Sequence, residues 1–498
     1  MAAAREPEVR ELPKPSLPLA VLPIAVTMGL ILFQIAYFGA DNFAPHIPLA
    51  LGVAFTGAVG WAIGYRWRQM ETGLFHVVHI GLPSVAILMT VGMIIGTWIL
   101  SGTVPVMIHY GLILITPQYF LLAAMLLTAL VSVAIGTSWG TVGTVGLALV
   151  GIGDGLGIPM ALTGGAIVSG AFFGDKMSPL SDTTNLAPAV AGTELFTHIR
   201  HMTHTTGPSF LIALAGFTLV GFIGEGPSGE LALGTLTDTL ATNFDVGVWT
   251  LLPLAAVLGL AIARYPALPV ILFGALLGAV FAVIFQPQTV AAYGGAQEIG
   301  HGMALLKGAW IGLFNGYTAS TGNEVVDSLL SRGGMSSVLT TVWLIISALT
   351  LGAVLEHAGM LQRIIQGVIR SAKSTGSLIT SVVLTSIGTN IVTGDQYIAI
   401  VMPGRMFRAE FRRRRLRARN LSRTIEDAGT LTSPLIPWNT CGAYMAATLG
   451  VATFAYLPWC FLNLVNPFVA MLLGFRGLSV EKVPEGVEMP EVDSGARA

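Results

Sequence analysis

The chain has 498 residues, 53% of them hydrophobic and only 10% charged, with a net charge of −1 and a mean hydropathy of +0.75. Soluble proteins carry roughly 25% charged residues, so this composition excludes a water-soluble domain and specifies a polytopic membrane protein. No basic domain is present to bind nucleic acid, and membrane lipid is the expected surrounding.

Met1 to Ser16 is polar and Pro-rich and reads as a cytoplasmic segment ahead of an uncleaved first helix. About 20 apolar residues cross a bilayer as a helix. This places crossings near 17–38, 46–65, 75–100 and 206–224, then near 249–263, 267–286, 335–356 and 454–475. The chain thus divides into a first transmembrane repeat over 17–224 and a second over 249–475. An acidic extracytoplasmic loop over 225–248 joins them, and a cytoplasmic tail over 476–498 follows. Sixty glycines suit helices that pack closely or break. Cys441 and Cys460 flank apolar sequence and read as small packing residues.

Basic residues mark cytoplasmic loops. Arg66 and Arg68, then Arg200, Arg264, Arg363, Arg370 and Lys373, and the six arginines from Arg412 to Arg419 lie inside on this rule. The stretch Glu225 to Asp245, with four acids and no Lys or Arg, lies outside. Residues 376–408 then leave and return to the cytoplasm, and 118–153 dip in from outside, so each is expected to be a re-entrant hairpin. Five true crossings per half turn the second half upside down. Two short matches accompany this. Gly136-Thr137-Ser138 resembles Gly388-Thr389-Asn390 and Ser178-Pro179-Leu180 resembles Ser433-Pro434-Leu435, at spacings of 178 − 136 = 42 and 433 − 388 = 45, with Asn185 paired near Asn439-Thr440. The expected fold is all-α, with two inverted repeats of about five transmembrane helices, each holding a re-entrant hairpin and a broken helix.

Phe173 to Asn185 sets three charges, Asp175, Lys176 and Asp182, around a Pro-broken and hydroxyl-rich backbone. A charge at mid-bilayer costs about 2.5–3.5 kcal/mol on insertion scales, so such a cluster marks a functional site. Pro179 breaks the helix, and Ser181 or Asp182 caps its resumption at Thr183. The hairpin tip at Thr137 and Ser138 offers hard oxygen ligands, as does the second tip, Asn390 through Asp395. Asp427 and Asn439 belong to the second break, and Asp427 has a surface ion pair with Arg423 or Arg419 as its alternative role. The ion-binding candidates are therefore Asp175, Asp182, Thr137, Ser138, Thr183, Asn185, Asn390, Asp395, Asp427 and Asn439. Lys176 is the candidate charge partner, either of Asp175 or of a substrate anion. A buried carboxylate holds its proton tightly, and a neighbouring cation favours the ionised form, so one Asp binds either H⁺ or Na⁺. Competition of that kind couples the two fluxes.

His198, His201 and His204 follow Glu194 at spacings of three and suit an interfacial helix that senses cytoplasmic pH. Arg412 to Arg415 set topology and can touch anionic lipid, and Glu298 and His301 read as surface residues. No Walker motif points to ATP, and no His-Glu-x-x-His pattern points to a metalloprotease. No cofactor is expected, and no metal other than Na⁺.

Several stretches together resemble the NhaC-type Na⁺/H⁺ antiporter family. They are Gly136 to Thr144, Phe173 to Asn185, Gly192 to Phe196 with His198 and His201-Met202, Asn390 to Tyr397, Asp427 to Thr430, and Pro434 to Asn439. The resemblance runs from about residue 17 to 475. It implies a bacterial inner-membrane secondary antiporter, both termini cytoplasmic, that expels Na⁺ in exchange for protons. The family also contains exchangers of malate with protons for lactate with Na⁺, so an organic anion is the alternative cargo. Against an anion, Lys176 is the only cation in the broken regions able to clamp a carboxylate. A membrane enzyme built on the three histidines is the third reading, and a homodimer is the candidate assembly. Cysteine labelling is expected to reach position 415 from the cytoplasm and position 235 from outside; the reverse pattern overturns the orientation.

Overall fold

The computed structural model describes residues 15–38, 45–223 and 230–484, apart from the side chains of 230–233 and 298. The N-terminal segment before 15, part of the acidic loop, the Glu298 side chain and the tail beyond 484 lie outside the described residues. Helices account for nearly all of the rest, with two isolated β-bridges, Tyr317–Arg332 and Leu416–Lys482. Among the described residues eight helices are long and apolar enough to cross a membrane, or ten if two sharply bent pairs each count as one span.

The expected crossings fall on helices Leu17–Phe38, His46–Ile63, Trp67–Leu100, Leu195–Ile223, Ala267–Phe285 and Leu339–His357. Trp67–Leu100 begins earlier than expected, at a start where the Gln69 side chain accepts from the Arg66 amide at 3.0 Å. Its 34 residues span about 51 Å at 1.5 Å per residue, more than the hydrocarbon layer needs. Leu195–Ile223 also begins early, so the three histidines ride on one long helix and not on a separate interfacial one. The expected crossing at 249–263 is half of a pair bent by 88°, the other half being Gly234–Asn243. The last crossing is shorter than expected, Phe461–Arg476, and a second bent pair precedes it. The apolar pattern did not reveal Thr103–Leu114, His301–Phe314 or Glu324–Leu330, which are too short to span.

Each segment expected as a re-entrant hairpin is a pair of helices that turns back on itself, and the first arm of each, Pro117–Ile135 or Thr375–Thr393, is itself long and apolar enough to cross a membrane. Pro117–Ile135 turns at Gly136 and continues over 138–155. Thr375–Thr393 turns at Gly394 into Gln396–Arg413. Each turn uses a glycine at positive φ, 82° at Gly136 and 63° at Gly394, a region costly for residues with a Cβ. The next residue, Thr137 or Asp395, caps the returning helix with its side chain.

These turns correct the tripeptide register. Gly388-Thr389-Asn390 lies inside the helix Thr375–Thr393, and the counterpart of Gly136-Thr137-Ser138 is Gly394-Asp395-Gln396. Ser433-Pro434-Leu435 forms a 3₁₀ turn that prolongs Ala418–Thr432, and the chain breaks over 436–439 instead. Four positions then share one offset, 395 − 137 = 258. Gly136 matches Gly394, Thr137 matches Asp395, the cap Ser181 matches the cap Asn439, and the left-handed Gly192 matches Gly450. Asn439 therefore corresponds to Ser181, not to Asn185. The constraint shared by the halves is conformational, a left-handed glycine followed by a capping side chain, and residue identity does not record it.

The first hairpin and the first broken helix pack backbone to backbone. Gly170 and Gly174 of Met160–Met177 face Met125, Thr128 and Ser132, where an added Cβ would strike main-chain atoms. Ser132 and Ser178 hydroxyls then donate to the carbonyls of Ala171 at 2.6 Å and Val133 at 2.8 Å. Gly170→Val is expected to destabilise by about 1–3 kcal/mol through overpacking, while Gly29→Ala, which meets nothing within 4 Å, leaves stability unchanged. Thermal unfolding in detergent checks the pair.

Candidate functional site

The helix Met160–Met177 ends at Ser178, and Asp182–Ala191 resumes after a four-residue break. Pro179 supplies no amide donor and sits in that break. Ser181 is the cap, accepting from the Thr184 amide at 3.5 Å, so Asp182 is released from that duty. Asn185 donates to the carbonyls of Pro179 at 2.9 Å and Ser181 at 2.6 Å and ties the break together. Thr184 donates to the carbonyls of Asp175 and Lys176, both at 2.9 Å, covering the frayed end of the first arm.

Asp175 is buried in a cage of hydroxyls. Ser138 of the hairpin tip donates to one carboxylate oxygen at 2.5 Å, and Ser181 donates to the other at 2.7 Å. Asp182 points the opposite way, accepting from the Thr183 amide at 2.9 Å and from the Tyr397 hydroxyl of the second hairpin. A cavity of about 370 Å³ touches both carboxylates. Its wall also holds Thr137 and Thr144 from the first hairpin, Gln396 and Tyr397 from the second, Thr440 and Cys441 from the second break, and Arg264. Three of the expected ion ligands, Thr137, Asp175 and Asp182, therefore gather on one cavity, and a fourth, Ser138, is held to it only through its bond to Asp175.

The other candidates lie elsewhere. Asn390 donates to the Gly429 carbonyl at 2.7 Å and Thr432 at 3.1 Å, and accepts from Asn439 at 3.0 Å. Asn439 also caps the helix Thr440–Leu449, and Asp395 caps its own helix through the Ile398 amide at 2.9 Å. These three brace the second hairpin against the second break. Thr183 is buried with its hydroxyl 3.1 Å from that of Ser181, behind the cavity wall.

Lys176 and Asp427 correct two expectations. Consecutive residues on a helix point about 100° apart, so Lys176 turns from Asp175 and pairs with Asp427 across the two broken helices. Neither side chain is exposed. Asp427 is thus no surface residue, and it also accepts from Thr205 at 2.8 Å and Asn466 at 2.9 Å. Arg423, equally buried, lies 3.7 Å from its second oxygen. His198 meets Ser422 at 2.9 Å, His201 lies 3.7 Å from Glu481, and His204 is exposed. Among the described residues no group of three or more His, Cys, Asp or Glu is arranged to hold a metal ion.

Sequence reasoning missed several residues of this region. Gln396 and Cys441 line the cavity and bond each other at 2.7 Å, and Tyr397 reaches across to Asp182. Arg264 gave no signal beyond its value as a topology marker. Glu426, adjacent to Asp427, is fully buried, with one oxygen bonded to Thr430 at 2.8 Å. Its apolar surroundings could have singled it out as an intramembrane carboxylate.

The model of the Na⁺/H⁺ antiporter family matches residues 170–478, from the first broken helix to the end of the last helix. The chain is 38% identical over 462 residues to the Na⁺/H⁺ antiporter NhaC of Alkalihalophilus pseudofirmus, covering 93% of this chain and 96% of that one. It is 38% identical over 457 residues to the malate-2H⁺/Na⁺-lactate antiporter of Bacillus subtilis, covering 91% and 94%. Similarity to the arginine/ornithine antiporter ArcD of Halobacterium salinarum is 37% over 492 residues, covering 97% of each.

Removing one partner of a buried ion pair strands the other charge, which costs about 3–5 kcal/mol. Lys176→Met and Asp427→Leu are each expected to lower thermal stability sharply, and the double variant to recover most of the loss. Additive losses would show that the pair contributes nothing.

Proposed function

Because the chain belongs to the Na⁺/H⁺ antiporter family, a family of antiporters and not of enzymes, we propose that it exports Na⁺ in exchange for H⁺, the two cations displacing each other among buried carboxylates. The setting we propose is the bacterial cytoplasmic membrane, with both termini inside. The observation that carries this reading is the position of Asp175 and Asp182 on either side of one helix break, both on a cavity closed by residues from the two hairpins. A small hydrated cation needs hard oxygen ligands to replace its water. The Asp182 carboxylate, the Thr137, Thr144 and Thr440 hydroxyls and the Gln396 amide are of that kind. Binding H⁺ removes the negative charge that favours the metal, so each cation excludes the other.

The common offset of 258 between hairpin tips, caps and left-handed glycines supports reading the halves as inverted repeats. Rocking one repeat against the other would then open the cavity alternately to each side.

A second reading is favoured by the cavity itself. About 370 Å³ far exceeds what a bare cation needs and falls in the range of small-molecule pockets. Lys176, the expected clamp for an anion, is committed to Asp427. Arg264 lines the cavity in its place, on the same wall set as Asp182. That pairing of signs suits a carboxylate or an amino acid, cargoes of the kinds named for two relatives.

Purified protein in liposomes with an imposed pH gradient separates the readings. Dissipation on adding Na⁺ alone supports cation exchange; a requirement for malate, lactate or an amino acid supports the second reading. Asp175→Asn and Asp182→Asn are each expected to cut exchange more than tenfold with normal expression, and full activity in both would remove them from the mechanism.

A further inference from the structure

Glu426 is a carboxyl group that the cavity does not reach. Its exposure is 0%, one oxygen accepts from Thr430 at 2.8 Å, and the other has no hydrogen-bond partner among the described residues. An ionised carboxylate offers about four acceptor sites, and a bare one in a dry interior carries a heavy desolvation cost. Neither buried cation nearby is paired with it. Lys176 is bound to Asp427, and Arg423 faces Asp427 while donating to the Ser479 carbonyl at 3.0 Å and hydroxyl at 2.7 Å.

The neighbours of Glu426 connect it to the cavity. The first broken helix packs on the helix of Glu426 and carries Asp175, Lys176, Asp182 and Thr183. The Thr183 hydroxyl is 3.1 Å from that of Ser181, which in turn donates to Asp175 at 2.7 Å. On its own helix the charged neighbours are Arg423 and Asp427. Leu195–Ile223 packs on that helix and brings His198 and His201, which meet Ser422 and Glu481. Gln396–Arg413 brings Tyr397 at its start and Arg405, Arg408 and Glu410 toward its end. Phe461–Arg476 brings only Arg476, and Thr375–Thr393 has no titratable side chain.

We propose that Glu426, and not the cavity carboxylates, carries the exchanged proton while those carboxylates hold the cation, an assignment that rests on the Na⁺/H⁺ exchange proposed above and replaces competition at one carboxylate by two coupled sites. As Na⁺ enters, the Glu426 carboxyl passes its proton along the Thr183 and Ser181 hydroxyls to Asp175 and from there to water in the cavity on the side then open, and the carboxylate left behind balances the added positive charge. On the return leg the carboxylate takes a proton from the other side and the cation leaves, so charge and atoms balance in each half-cycle. The two sites communicate through hydroxyls. A protonated Glu426 donates to Thr183, leaving the Thr183 O–H free to donate to Ser181; an ionised Glu426 accepts from Thr183 and withdraws that donor.

The test is Glu426→Gln in liposomes, which keeps the shape and mimics the protonated state. The variant is expected to keep ²²Na⁺/Na⁺ counterflow at saturating Na⁺, to lose Na⁺-driven proton movement at least tenfold, and to show a Na⁺ KM that no longer changes with pH. Proton movement within twofold of the unmodified protein, or equal loss of counterflow, overturns the assignment. If the Gln variant does not reach the membrane, Glu426→Asp decides: a displaced pH profile supports the proposal and an unchanged profile overturns it. Unmodified protein that moves no protons on Na⁺ addition instead sinks the underlying exchange reading, which separates the two failures.

Discussion

A helix interrupted inside a membrane leaves amides and carbonyls with no partner, and lipid offers none. This constraint organises the centre of the molecule. At the first break Ser181, Thr184 and Asn185 cover the loose ends, and the hairpin tip adds Ser138 to Asp175. At the second break Asn439 caps the resumed helix, and the Thr440 amide donates to the Gly394 carbonyl of the second tip at 2.8 Å. Each break is therefore completed by the hairpin of its own half.

Contacts between the halves are of a different kind. Trp139, on the first tip, stacks on Tyr444 of the second resumed helix with ring centroids 4.1 Å apart, and the Tyr444 hydroxyl donates to the Trp139 carbonyl at 2.7 Å. Tyr397 holds the corresponding place on the second tip, by the same offset of 258, and reaches Asp182 of the first resumed helix. One crossing is an aromatic stack whose strength does not depend on ionisation. The other is a hydrogen bond to a carboxylate on the cavity wall, which a bound cation or proton would weaken. An equilibrium between states of the two halves can only be biased by a ligand that binds them differently, and the second crossing is where cargo would exert that bias.

The sequence carried the class and most of the long spans, because apolar length is a property of single segments. It also singled out Asp175, Asp182 and Thr137, which the fold brings to one cavity, since charge and hydroxyls inside apolar sequence are costly wherever they end up. What it lacked was direction. Nothing in the string Asp175-Lys176 says that one side chain enters a hydroxyl cage and the other leaves toward Asp427, 251 residues away. The repeat register failed for a related reason. Gly394-Asp395 and Gly136-Thr137 perform one turn with different residues, whereas Gly388-Thr389 copies the letters without the turn. Arg264 and Gln396 were invisible as site residues because a cavity wall is assembled from segments that share no local pattern.

The buried charges fall into two settings, paired ions away from the cavity and carboxylates on its wall. Lys176, Asp427 and Arg423 are shut away from the cavity and bonded on several sides, and Arg423 is anchored to Ser479 in the chain that follows the last helix. That following chain lies along the start of Ala418–Thr432, where Arg417 and Asn420 exchange hydrogen bonds with Glu481 and Arg419 forms an ion pair with it. A buried pair held this firmly gives little stability beyond an apolar pair of the same shape. What it does give is position, because it joins the two broken helices at one point between their interruptions and so sets how Asp175 and Asp182 face the second hairpin. The carboxylates on the cavity side are held by hydroxyls, which can reverse as donor or acceptor when the charge they meet changes. If the proposed exchange takes place in the cavity, fixed ions on one side of Met160–Met177 and reversible hydroxyls on the other would let the framework stay intact while the charge in the cavity changes.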